Sequence, residues 1–187
     1  QIGDYLEQIA SSRPASASAV VRRLMEKTSS LYNGQPGDDA TLAGVLAREP
    51  NRLMVFTGPP TDKSLDEQCV ERLLHFEGRK VVCGGTTGNI VANHLGETAD
   101  LDLTTLREDV PPIGSLPHID LMTEGILTLA RTLRLLKESH GDASRVMLDR
   151  NGASLFAREL LRADSILFLA GEQVNPYYQN PLLPRNI

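Results

Sequence analysis

Leu53–Met54–Val55–Phe56–Thr57–Gly58 and Val81–Val82–Cys83–Gly84–Gly85–Thr86–Thr87–Gly88–Asn89 decide how this chain is read. Each is a short continuous apolar run that ends directly in glycine. Such runs suit strands covered on both faces, whereas half-exposed strands alternate apolar and polar residues. Between them, Leu65, Cys69, Leu73 and Phe76 recur at helical spacing, Ser64 and Glu67 are placed for a capping box, and Gly78 supplies a stop. Strand, helix and strand within so short a span form a βαβ unit, so the two strands are expected to lie parallel.

Further along, Ile90–Leu95 reads as a helix stopped by Gly96 and Leu101–Leu103 as a third strand. Pro111–Pro117 reads as a loop, and the 119–138 stretch as the longest helix, with Met122, Ile126, Leu129, Leu133 and Leu136 on one face. Phe156, Leu160 and Leu161 mark another helix, and Ile166–Leu169 a final strand. The expected fold is α/β, a small Rossmann-like parallel sheet with flanking helices.

Towards the N-terminus the pattern differs. A short helix up to about Ser12 precedes a second one with Val20, Leu24, Thr28 and Leu31 on a stripe. The turn residues Asn33–Gly37 end it, and Thr41–Ala47 reads as a strand. Glu49–Pro50–Asn51 is the strongest punctuation in this third of the chain, which divides it into residues 1–50 and 51–187.

The glycine loop Gly84–Asn89 is the leading candidate site, because open α/β sheets bind ligands outside the carboxyl ends of their strands. Glycine lets the backbone approach a ligand, and a helix N-terminus favours an anion by ~0.3–1 kcal/mol. Gly84, Gly85, Thr86, Thr87 and Asn89 are therefore the expected contacts for a small anionic ligand, a phosphate or carboxylate. Gly58 and Thr61, after the first strand, and Asn175, in the Pro-rich segment Asn175–Pro181, are their expected neighbours. Glu124–Gly125 falls at the start of the long helix, where a glycine costs ~1 kcal/mol against alanine and signals close approach of another backbone or a ligand. The loop matches neither the dinucleotide fingerprint nor a Walker motif.

Composition narrows the function classes. A net charge of −5 with scattered basic residues argues against nucleic acid. No apolar stretch reaches the ~20 residues of a membrane span, and two cysteines suit a reducing, cytoplasmic setting. His75, His94, His118 and His140 are dispersed, and no nucleophile–base set is proposed from spacing, so no catalytic residue is assigned.

Gly37–Asp38–Asp39–Ala40–Thr41, after an amphipathic helix and before an expected strand, resembles the last motif of the metal-dependent serine/threonine protein phosphatases of the stage II sporulation protein E branch. The stretches Val82–Asn89, Ile119–Leu129, Ala163–Ile166 and Asn175–Pro181 are similar to the extra C-terminal domain on some of these bacterial enzymes. The resemblance implies that Asp38, and secondarily Asp39, binds one of two Mn²⁺ or Mg²⁺ ions that activate water against a phosphoprotein substrate. It also implies that residues 1–50 are a helix–strand remnant of a phosphatase α/β sandwich. This sequence has no Asp-Gly dipeptide, which the family uses mid-domain, and fewer than forty residues precede Asp38. The chain is thus expected to be the end of a longer phosphatase, inactive by itself, with a regulatory or ligand-binding domain at 51–187. Thr41–Ala47, with its neighbours missing, is expected to pair with another chain, giving a homodimer, or with the Rossmann-like sheet. An independent small-molecule binding domain and a protein-interaction module are the alternatives.

Overall fold

The computed structural model describes residues 2–11, 16–35, 39 and 41–173. The chain forms two compact units, Gln1–Glu49 and Pro50–Ile187.

The first unit has α1 (Ile2–Ser11) and α2 (Ala17–Leu31). Ser16 caps α2 by accepting from the Ala19 N–H at 3.2 Å, which satisfies one of the donors left open by the first turn. Lys27 on α2 sits over the Tyr5 ring of α1, 5.9 Å from its centre. The strand expected at Thr41–Ala47 does not form: these residues are exposed and carry no regular structure. Gly44 lies so close to α2 that an added Cβ would come within 2.8 Å of Val21 Cγ2. The segment thus approaches a helix, where there is no strand edge to pair with.

The second unit is a mixed α/β domain built on one six-stranded sheet in the order β3-β4-β5-β2-β1-β6. Its strands are β1 (Arg52–Thr57), β2 (Arg79–Cys83), β3 (Asp100–Asp102), β4 (Ile113–Ser115), β5 (Leu121–Thr123) and β6 (Ser165–Ala170). β5, β2, β1 and β6 run parallel. β3 and β4 add an antiparallel edge, so the third expected strand does belong to the sheet but runs in a β3–β4 pair, and β4 occupies what reads as a loop.

Helices α3 (Asp66–Leu74) and α4 (Gly85–Leu95) cover one face, and α6 (Gly152–Arg162) the other, with α5 (Ile126–Ser139) packed against α6. Met54, Phe56, Val82 and Met122 point to the first face and Leu53, Val55, Val81 and Leu121 to the second. Alternate residues of continuous apolar strands thus feed two cores, which is why these strands show no polar alternation. Phe56 and Phe156, one in each core, are fully buried, and each contributes on the order of 1.5–3 kcal/mol.

Four local expectations change. The Ser64–Glu67 capping box is absent: Asp62 instead caps a 3₁₀ turn at Lys63–Leu65 through the Ser64 N–H, and α3 starts after it without a side-chain cap. Leu65 is exposed, and Val70 with Leu73 forms the buried stripe of α3. The long helix begins only at Ile126, because Leu121–Thr123 is taken by β5. Its buried face is Thr128, Thr132 and Ser139, while Leu129 and Leu133 are exposed. Small residues allow α5 and α6 to approach: Thr132 Oγ1 lies 3.4 Å from Ala153 O, and a Cβ on Gly152 would come within 3.5 Å of Thr128 Cγ2. Among the described residues, no helix is long and apolar enough to cross a membrane.

Candidate functional site

The connections dictate where a cleft opens. Right-handed crossovers from β1 to β2 and from β2 onward to β5 place α3 and α4 on one face. The return from β5 to β6 runs the other way across the sheet, so the same handedness sends α5 and α6 to the opposite face. The chain therefore leaves the carboxyl end of β2 towards one face and that of β5 towards the other. A crevice between those two ends is where open α/β sheets hold ligands.

The cleft there has a volume of about 390 Å³. Gly58 and Pro59 line it from the end of β1, Gly84, Gly85, Thr86 and Thr87 from β2–α4, Glu124, Gly125, Ile126 and Leu129 from β5–α5, and Gln173 from beyond β6. The first and last of these are held together by the Gln173 N–H donating to Pro59 O at 3.1 Å.

Its floor is a meeting of two glycines. Gly84 donates its N–H to Thr123 O at 2.9 Å, and a Cβ on Gly125 would stand 3.5 Å from Gly84 Cα. Gly84 has φ 114° and ψ 130°, a conformation that costs an L-residue about 1–3 kcal/mol. It is the N-cap of α4, and Gly125 is the N-cap of α5; neither cap residue has a side chain to bond to the first-turn N–H groups. The cap carbonyls already accept bonds, Gly84 O from Gly88 and Gly125 O from Leu129. Each helix thus turns its first-turn N–H groups and the positive end of its dipole into the same cleft without a side-chain cap.

The cleft brings Gly58, Gly84, Gly85, Thr86, Thr87 and Glu124 together. Glu124 reaches the cleft from the turn between β5 and α5, because the helix starts two residues after it. Thr87 is buried with its Oγ1 close to Gly84, which leaves Gly85 and the exposed Thr86 as the open surface of that turn. Thr61 and Asn89 do not line the cleft: both are exposed, Thr61 before the 3₁₀ turn and Asn89 on the second turn of α4. Asn175 lies outside the described residues.

The sequence reading missed Pro59, Gln173, Ile126 and Leu129. The last two stand in the stripe read as buried, and their facing the cleft follows from the later start of α5. Lys and Arg are absent from the described lining, so its polarity comes from backbone N–H groups, the Thr57 and Thr86 hydroxyls, the Gln173 amide and the Glu124 carboxylate. Cys83 lies under the cleft with its thiol donating to Glu124 O at 3.3 Å, and burial pushes that thiol above its ordinary pKa.

Comparison with family models, with curated proteins and with solved structures finds no match. The metal residues that the resemblance implies, Asp38 and Asp39, belong to the first unit, and the cleft to the second. Asp38 lies outside the described residues, and Asp39 is exposed. Among the described residues, no three His, Cys, Asp or Glu side chains are grouped as a cation would require.

Proposed function

We propose that the α/β unit binds a small ligand in the cleft between β2 and β5, seating an anionic group on the N-termini of α4 and α5. One observation carries the reading: two helices without side-chain caps, arriving from opposite faces of the sheet, open into a single cleft whose floor is a glycine pair. Each N-terminus favours an anion by ~0.3–1 kcal/mol, and by up to ~2 when partly buried. Glu124 shapes the rest of the ligand. Its carboxylate repels a second anionic group and accepts hydrogen bonds from hydroxyl or ammonium donors. A molecule with a phosphate or carboxylate at one end, hydroxyl or amine donors at the other and an apolar edge for Ile126 and Leu129 matches this lining.

Together with the resemblance drawn from the sequence, we read this unit as the regulatory part of a metal-dependent serine/threonine phosphatase. The two Mn²⁺ or Mg²⁺ ions and the phosphoprotein substrate then belong to the intact parent. No hydrolytic step is assigned to this chain.

The test is thermal. Inorganic phosphate, sugar phosphates and amino acids are titrated against the chain while its melting temperature is followed. A saturating ligand at a hundred times its Kd raises stability by roughly 2.7 kcal/mol. Gly85→Val is expected to abolish the shift while leaving the fold, because Gly85 lines the cleft and a Cβ there meets nothing within 4 Å. No shift with any of these probes contradicts the ligand reading. The phosphatase reading is tested on the protein extended upstream of Gln1: Mn²⁺-dependent hydrolysis of p-nitrophenyl phosphate is expected, and its absence contradicts that part alone.

A further inference from the structure

The charge of the cleft narrows the anion that suits it. A helix N-terminus carries roughly half a positive charge, so α4 and α5 together present about one. Lys and Arg, which would add to it, are absent from the described lining. A carboxylate matches that single charge. A phosphate monoester carries about −1.5 to −2 at neutral pH, and its surplus charge faces the carboxylate of Glu124 in the lining.

The place of Glu124 narrows the ligand further. It stands between Thr123, the last residue of β5, and Gly125, the N-cap of α5. Its carbonyl accepts from the Cys83 thiol at 3.3 Å, which ties this turn to the end of β2. An acidic side chain and the first N–H groups of α5 are thus offered by neighbouring residues of one turn. A ligand that answers both carries a cation and an anion close together, and a bond from ammonium to carboxylate is about twice as strong as a neutral one. Ammonium and carboxylate on a single carbon meet that requirement. A sugar phosphate offers Glu124 hydroxyl groups without positive charge.

The rest of the lining is apolar. Pro59, Ile126 and Leu129 face the same cleft, and Leu129, one turn along α5 from Gly125, is 37% exposed. An aliphatic side chain on the ligand covers apolar surface that is otherwise open to water. The volume of about 390 Å³ lies near the lower end of the range for small-molecule sites, which suits a single small metabolite. Given the anion seat proposed for this cleft, on which the inference rests, we propose that the ligand is a free α-amino acid with an aliphatic side chain. Its carboxylate sits on the first-turn N–H groups of α4 and α5, its ammonium on Glu124, and its side chain against Ile126 and Leu129.

Amide chemical shifts of the ¹⁵N-labelled full chain are followed with four probes: L-leucine, 4-methylpentanoate (which lacks the ammonium), 3-methylbutylamine (which lacks the carboxylate) and inorganic phosphate. L-leucine is expected to saturate shifts at Gly85, Thr86 and Ile126 at a concentration at least about tenfold below 4-methylpentanoate or phosphate. L-alanine is expected to bind at least about tenfold more weakly than L-leucine, since each buried methylene is worth about fourfold. Glu124→Gln is expected to weaken L-leucine about tenfold while strengthening 4-methylpentanoate and phosphate, a crossed response that general damage to the fold does not give. If 4-methylpentanoate, 3-methylbutylamine or phosphate saturates these amides as tightly as L-leucine, the amino-acid class is overturned and the cleft remains a ligand site. L-alanine binding as tightly as L-leucine overturns the aliphatic contact. If none of the four probes shifts these amides, the anion seat fails and the class fails with it.

Discussion

Gly84, Gly85 and Gly88 fall within one turn of sequence, yet alanine at each is expected to shift stability in a different way. Gly85 is the first residue of α4, it has no positive φ, and a Cβ there meets nothing within 4 Å. Gly85→Ala therefore restricts the unfolded chain without straining the folded one, a gain of about 0.4–1 kcal/mol. For a chain of this size that is a rise of roughly 1–4 °C in Tm. Gly84→Ala forces an L-residue to φ 114° with its Cβ 3.2 Å from Thr87 Oγ1, at a cost of about 1–3 kcal/mol.

Gly88 is helical and buried, and its Cβ would stand 2.1 Å from Met122 Cε. Gly88→Ala must displace the end of a flexible side chain, costing about 1–3 kcal/mol, offset by ~1 kcal/mol of helix propensity. Thermal unfolding followed by circular dichroism suits a protein that has no tryptophan. The expected order of Tm is Gly85→Ala above wild type, Gly88→Ala at or below it, and Gly84→Ala lowest. Because Gly85 faces the cleft, its stabilising variant is also expected to bind anions more weakly. Loss of stability in Gly85→Ala, or a neutral Gly84→Ala, would refute the geometry of this turn.

Thr128 Oγ1 is buried without a hydrogen-bond partner among the described residues. Thr128→Val keeps the shape and removes that cost, so a gain of about 1 kcal/mol in unfolding free energy is expected from urea titration. Burial raises the thiol pKa of both Cys69 and Cys83, but only Cys83 is closed to solvent. Mass spectrometry after iodoacetamide at neutral pH is expected to show slow labelling of Cys69 and none of Cys83 until the protein unfolds. Hydrogen bonds from Ser64, Thr104 and Arg107 hold the carboxyls of Asp62, Asp102 and Asp149 below their ordinary range. The unfolded chain takes up these protons first, so their contribution is complete above the ordinary carboxylate range and is lost as pH falls below about 4. Urea midpoints measured from pH 6 to pH 3 are expected to decline, and to decline less steeply for Asp149→Asn.

Three of the parallel strands, two central and one at the edge, are legible because they are continuous apolar runs closed by glycine or a turn. Leu53–Phe56, Val81–Cys83 and Ile166–Leu169 needed only their composition and their punctuation. Leu121–Met122–Thr123 escaped because three residues have no period of their own, and Met122, Ile126 and Leu129 happen to keep helical spacing across the strand–helix junction. Gly125 was the clue: its place is an N-cap pressed on Gly84, where a helix interior had been read. Thr41–Ala47 has a strand-like composition, but pairing depends on a neighbour, and at Gly44 its backbone comes close to α2. The candidate site was legible on the β1 and β2 side. On the β5 side Glu124–Gly125 stood out as a glycine misplaced in a helix, but Ile126 and Leu129 required knowing that the crossover reverses between β5 and β6, which is a property of the whole sheet. Gln173 enters the cleft only because β6 returns beside β1, so no local signal marks it.

The central claim is that the N-termini of α4 and α5 together hold an anion. Amide chemical shifts of the ¹⁵N-labelled chain, titrated with inorganic phosphate, test it most directly. The account predicts saturable shifts at Gly85, Thr86, Thr87 and Ile126, strengthened in Glu124→Gln and lost in Gly85→Val. Shifts confined to residues outside the cleft, or none at these amides up to high phosphate, would contradict it.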